Sequence, residues 1–419
     1  PGAFATSHGS SQYHPQPRYD PLLCLIFGSL TSVLFSVTCL MLRTINSAHT
    51  NSSEVYPPHL AESHMNLSSF ALAAVLTTTI NSVHAEGTPH AEEIKNDWDV
   101  TKTTAGATSV TIDTQEGTWM NIDVSPDGEH LLFDLLGDIY EIPVAGGNAQ
   151  PITHGHGWDF QPRYSVDGTS ILFTSDQGGG DNIWRVSRDG SGAQQLTSES
   201  IRLLTSPAVE PNGDYFVARK HFTGPRSLGA GEIWRYDLNG GNGRPLTHRK
   251  NQQKDLGEPA ISPDGKTLYY SYDATPGDFF EYGKDANKGI YAIDALDLSS
   301  GRVTRVAGGA GGAIRPTPSP DGQYLAFIRR VRGVTVLVTK HLHSGVEKTI
   351  AFGLERDLQE TWAVHGVYPT IDYTPDSESI IYWAGGKLWR VHVETGHVVE
   401  IPFHLKTQMA IEPAIRFAV

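Results

Sequence analysis

From about residue 120 onward, apolar and polar positions alternate in runs of five or six, not at helical spacing. "EHLLFD", "TSILFT", "DYFVAR", "KTLYYS", "QYLAFI" and "ESIIYW" share this period of two, the mark of half-buried strands. Each run follows a turn of one type: "SPDG" at 125, "SVDG" at 165, "EPNG" at 210, "SPDG" at 262 and 319, and "TPDS" at 374. Pro suits the first central position of a type I turn, Asp or Asn the next, and Gly the left-handed position after them. The expected product is a three-residue hairpin loop between antiparallel strands.

A third strand follows each pair ("DIYEI", "NIWRV", "EIWRY", "GIYAI", "VTVLVT", "KLWRV"), and after a Gly-containing polar turn comes a fourth such as "QPITH", "QQLTS" or "GRPLTH". The turn motifs are spaced by 40, 45, 52, 57 and 55 residues, a period of propeller blades lengthened by insertion. The predicted fold class is all-β, a six-bladed β-propeller of four-stranded antiparallel blades over residues 108–408, preceded by a non-propeller N-terminal segment. The third-strand aromatics Tyr140, Trp184, Trp234, Tyr291 and Trp389 are expected to pack between neighbouring blades. "TSVTIDTQ", residues 108–115, is expected to complete the last blade, and residues 409–419 read as the start of a following, truncated element.

Before the repeats lie two apolar segments. Residues 22–42 form an uncharged stretch of 21 residues, long enough to cross a bilayer. Residues 65–85 run from Met65 through a short apolar centre to Val83-His84-Ala85, which suits signal-peptide cleavage despite the missing basic start. On one reading, residues 1–64 are read-through or an extension, 65–85 are a signal peptide, and an exported, periplasmic chain begins near Glu86 with 86–107 as linker. On the other, segment 22–42 is a membrane anchor and makes the only membrane contact. Both place the repeats outside the cytoplasm.

Charge and cysteine content narrow the chemistry. The chain has 32 basic and 46 acidic residues, and after residue 85 it holds 30 and 43, which argues against nucleic acid as partner. The two cysteines, Cys24 and Cys39, precede the repeats, so the repeats fold without disulfides or thiolate ligands.

"GTWMNIDVSPDG" (117–128), "DLLGDIY" (134–140), "GAGEIW" (229–234), "GGAIRPTPSPDG" (311–322) and "LQETWAVHGVYP" (358–369) resemble the N-terminal propeller of bacterial exported amidohydrolase-family proteins with TolB-like, WD40-like (PD40) repeats. The resemblance covers roughly residues 108–419. It implies a protein about twice this length, in which the propeller precedes a metal-dependent barrel that hydrolyses carbon–nitrogen bonds. Because the chain ends at Val419, before any barrel, the family's hydrolytic residues have no positions here. A divalent, zinc-type metal is implied only for that barrel, and no cofactor is expected in this chain.

Chemistry within the repeats offers little. "THGHGWD" places His154 and His156 near Asp159, a pattern able to hold zinc, but in a Gly-flanked connection that reads better as a polar loop. "HLH", 341–343, reads as a solvent-facing pair at a strand end. "GGAGGA", 308–313, lacks the Lys and Ser/Thr of a phosphate loop, and no Gly-x-Ser-x-Gly elbow is present.

The informative asymmetry is in loop length. Turns between first and second and between third and fourth strands are short, whereas 218–232, 248–259, 271–289 and 352–369, on the opposite side, are long. Loops on a rigid scaffold carry binding, so this side is the candidate face. Arg219, Lys220, Arg226, Arg249, Lys250, Arg315, Arg329, Arg330, Arg332 and Arg356 gather there, with Glu232, Glu360, Trp362 and His365. Either they form a positive mouth for an anionic ligand, or they pair with one another and with Asp278, Glu281 and Asp285. Three functions stay open: a binding and gating module for the missing C-terminal hydrolase domain, a free-standing TolB-like propeller docking an envelope protein or peptide, and the gating propeller of an exported serine peptidase.

Overall fold

A computed structural model describes residues 99–200, 203–223, 228–281 and 283–414. The apolar segments 22–42 and 65–85 and the site candidate Arg226 lie outside the described residues. Among the described residues the only helix is the short 3-10 turn Ala286–Lys288, and none is long and apolar enough to cross a membrane.

Six sheets among the described residues have four antiparallel strands in chain order. Sheet 1 comprises Ile122–Val124, His130–Leu135, Asp138–Pro143 and Gln150–Pro151. Sheet 2 runs from Asp159–Tyr164 to Gln194–Gln195, sheet 3 from Leu204–Val209 to Arg244–Pro245, and sheet 4 from Leu256–Ile261 to Val303–Ala307. Sheet 5 runs from Ile314–Pro318 to Glu347–Leu354 and sheet 6 from Asp372–Tyr373 to Val398–Ile401. Each sheet packs on the next, and sheet 6 returns to sheet 1.

The repeated turn works as a side-chain and main-chain device together. In sheet 1 the Gly128 N–H bonds the Ser125 carbonyl at 2.8 Å, which leaves the His130 N–H to the Ser125 hydroxyl at 2.9 Å, while Asp127 accepts from that hydroxyl and from the Glu129 N–H. The loop therefore has four residues, 126–129, not the expected three, because the serine carbonyl is consumed by the turn. The same bonds recur at Ser165, Ser262, Ser319 and Thr374. Gly128 has φ 73°, and in "TPDS" Ser377 takes that position with φ 64°.

Apolar cores lie between neighbouring sheets. Leu132 and Ile139 of sheet 1 pack on Ile171 and Phe173 of sheet 2 with Trp184 against them, and Leu172 and Ile183 pack on Phe216 and Tyr236 of sheet 3 beside Trp234. Tyr140, Tyr291 and Trp389 join equivalent clusters.

Ring closure differs from the expectation. Thr108–Thr114 adds nothing to sheet 6, whose four strands follow one another in the chain. It pairs antiparallel with Phe403–Ile411, and that strand pairs parallel with Gly147–Asn148 in a separate three-stranded sheet. Residues 409–411 thus end a strand that begins at Phe403, and the boundary drawn at 408 falls inside it.

Candidate functional site

The first strands of the sheets surround a polar axis. In sheets 2 to 5 this strand carries a bulge at Gln161, Ser206, Glu258 and Arg315, each followed by Pro and each at φ 55–56°. A non-Gly residue pays for that conformation, roughly 1–2 kcal/mol. The offset is a main-chain N–H aimed at the preceding sheet. Gln161 N–H donates to Asp134 Oδ2 at 2.7 Å, Ser206 N–H to Gln161 Oε1 at 2.7 Å, and Arg315 N–H to Glu258 Oε2 at 2.8 Å.

A strap, residues 355–371 between sheets 5 and 6, lies across these groups. Arg219 donates to the carbonyl of Val364 at 2.7 Å, Gln161 to that of His365 at 2.6 Å, and Arg315 to that of Tyr368 at 2.9 Å. Glu258 accepts the Val367 N–H at 2.8 Å, and His221 Nε2 contacts the Val364 carbonyl at 3.0 Å. Gly366, at φ +105°, fits because a Cβ there would collide with the Arg315 guanidinium. Burial pulls Arg315 down to about 10 although Glu258 opposes it, and burial beside Arg219 pulls His221 well below its ordinary value.

Most of the gathered basic residues that the structure describes are paired with carboxylates of the chain itself. Arg219, 2% exposed, pairs with Asp255, and Lys220 with Glu199. Glu232 holds Arg249 at 2.7 Å, Arg329 holds Glu347 at 2.6 Å, and Arg330 is clamped by Asp357 at 2.6 Å and by Glu360. Arg315 faces Glu258 at 3.3 Å. Arg356 is exposed and reaches Glu360 at 3.1 Å, and Lys250 is exposed against Asp278 at 2.7 Å. Trp362 packs edge-on against Phe280, and His365 Nε2 lies 3.1 Å from Asp181. Ion pairs thus engage most of the described cations on this side.

The histidine motif does not converge. His154 is exposed, His156 lies 3.6 Å from Glu412, and Asp159 is buried against the Gln177 amide at 2.9 Å. Among the described residues the group with metal-ligand spacing is Asp127, Glu129 and His130, on the short-turn side. His343 is exposed, whereas His341 is half-buried and stacks edge-on against Tyr324.

Beside the strap, against sheets 1 and 2, is a cleft of about 330 Å³ walled by Trp119, Asp134, Trp158, Asp159, Phe160 and His365. Burial pushes Asp134 and Asp159 up to about 6. Asp138, behind Asp159, is pushed up to about 7 by burial and by the Asp159 charge. Of these residues Asp159 and His365 drew attention in the sequence. The missed signal was a comparison among repeats: in the third strands of the first three sheets the residue before the first Ile is Asp138, Asn182 and Glu232, a run of polar residues at one buried position.

Residues 100–281 match the family model described as the TolB beta propeller domain. The fold is a TolB-like β-propeller. An uncharacterized protein of Agrobacterium fabrum is 34% identical over 154 residues, covering 35% of this chain and 52% of its own. The Tol-Pal system protein TolB of Helicobacter hepaticus is 28% identical over 159 residues, 37% of each. The chain thus spans about half or less of the length of these curated relatives. The crystal structure of TolB from Acinetobacter baumannii superposes with a TM-score of 0.51 at 16% identity over 68% of this chain and 65% of that one, a likeness of fold.

Proposed function

We propose that the six four-stranded sheets are the blades of a six-bladed propeller that acts as a non-catalytic binding module. It presents its loop-rich face to a hydrolase domain of the same polypeptide and orients substrate for it. The observation that carries this reading is the strap with its buried ion pairs. They close the axis and fix the long loops as a rigid platform beside an aromatic cleft, as a docking face requires. The strings quoted above support an amidohydrolase-type partner that breaks carbon–nitrogen bonds with its own metal, and the signal-like segment 65–85 supports an exported, periplasmic protein. The similarity to Helicobacter TolB favours a second reading, a free-standing propeller that docks an envelope protein or peptide.

Site-specific photo-crosslinking tests the face. Phe279 (74% exposed), in a long loop, and Val346 (65% exposed), in a short turn on the other side, take the crosslinker in turn. Crosslinks from position 279 and none from 346 are expected, and the reverse pattern overturns the assignment.

A further inference from the structure

On the loop-rich side, aromatic rings of sheets 3 and 4 already hold cations of the chain itself. Lys220 Nζ lies 3.9 Å from the Trp234 ring centre, the Arg249 guanidinium 4.0 Å from Phe222, and Lys284 Nζ 4.5 Å from Phe280. The cleft beside sheets 1 and 2 has walls of the same chemistry. Trp119, Trp158 and Phe160 supply rings, Asp134 and Asp159 supply carboxylates, and no Lys or Arg lines it. His365 turns its imidazole to Asp181.

Two further features bear on the cleft. Asp138, 5% exposed, lies behind Asp159 and outside the cleft lining, and adds a buried acidic group whose Oδ1 has no hydrogen-bond partner. Trp158 is 54% exposed, and Gly137 lets it lie against the turn, since a Cβ there would come within 2.9 Å of its Cε3. The neutral donors around Asp159 satisfy its lone pairs without cancelling its charge, and a buried carboxylate gains from an opposite charge within about 4–6 Å. A ring face adds attraction for the same group. The cleft volume of about 330 Å³ admits one long side chain and no folded element.

We propose that this cleft binds the ammonium or guanidinium group of a basic side chain on a partner peptide, with Trp119 and Trp158 flanking the cation and Asp159 facing its charge. The proposal deepens the binding-module reading and rests on it for the peptide origin of the cation.

The test is calorimetry with the full chain and three probes: N-acetyl-arginine amide, its uncharged near-isostere N-acetyl-citrulline amide, and ethylguanidinium as a cation without a peptide group. Saturable binding of the arginine amide is expected, with the citrulline amide at least about tenfold weaker, consistent with a charge partner in a desolvated site. Trp158→Ala, at an exposed position that leaves the fold intact, is expected to weaken it by about fivefold. Asp159→Asn, which keeps the Gln177 contact, is expected to weaken it by about tenfold or more. Equal binding of the citrulline amide, no saturable binding, or no response to either substitution overturns the site. Ethylguanidinium binding as tightly as the arginine amide overturns the peptide origin. The crosslinking experiment separates the two proposals. Crosslinks from position 279 without arginine-amide binding remove only the cation site, and amide binding with crosslinks from 346 alone removes only the docking-face reading.

Discussion

Replacing Asp138 with Asn should stabilise the propeller, and more so as pH rises. The carboxyl is buried, one oxygen has no partner, and burial with the Asp159 charge holds it at about 7 in the folded state against an ordinary 3.8. The folded state therefore binds the proton more tightly than the unfolded chain. The stabilisation that goes with that proton is fully present below pH 4 and is lost as pH rises through 7. Roughly three pH units at 1.36 kcal/mol each set a ceiling of about 4 kcal/mol, and partial water access brings the expected gain at pH 8 to about 2–4 kcal/mol. Sheet 2 shows what asparagine does at this place in the repeat. Asn182 Nδ2 donates to the Gly180 and Glu199 carbonyls at 3.0 Å, and its Oδ1 accepts from the Thr197 hydroxyl at 2.9 Å. The assay is guanidinium denaturation of both proteins at pH 4.5 and pH 8. A midpoint raised at pH 8 and nearly unchanged at pH 4.5 is expected. An equal effect at both pH values, or destabilisation at pH 8, would refute the assignment of a strained carboxyl.

Three other substitutions probe the axis and the turn. Arg315→Met leaves Glu258 buried without its cation and should cost about 3–5 kcal/mol, and adding Glu258→Gln should recover most of that in a double-mutant cycle. Simple additivity of the two losses would contradict the pairing. Gly366→Ala forces a Cβ toward Arg315 at φ +105° and should loosen the strap, read as faster amide exchange at 363–368 with sheets 1 and 2 still protected. Unchanged exchange there would count against the strap's dependence on that glycine. Ser319→Ala removes the hydroxyl that accepts the Tyr324 N–H at 2.9 Å and should cost about 1–2 kcal/mol by denaturation midpoint. A loss near zero would show that the turn does not rely on the serine.

The repeats were legible because five of the six share one hairpin chemistry, in which a Ser or Thr and an Asp bond within six residues, as at Ser125 to His130. The pairing of Thr108–Thr114 was not, since its partner Phe403–Ile411 lies about 300 residues on and no local motif records such a register. The clustering of arginines was visible and internal pairing was one of its two readings, but most of the partners were not. Arg219, in the strand Tyr215–Thr223, meets Asp255 ahead of the next sheet, and Arg330, in the strand Tyr324–Val331, meets Asp357 of the strap, partners that no local motif records. The cleft was hidden for a similar reason. Trp119, Asp134, Trp158 and His365 come from two neighbouring sheets and the strap, brought together by closure of the ring.

The central claim, that this propeller serves a hydrolase carried by the same polypeptide, is tested most directly by the size of the native protein. An immunoblot of the source cells with an antibody against residues 108–408 reads it. A band far larger than 419 residues can supply is expected. A band matching residues 86–419 would contradict the claim and leave the free-standing binding protein as the reading to pursue.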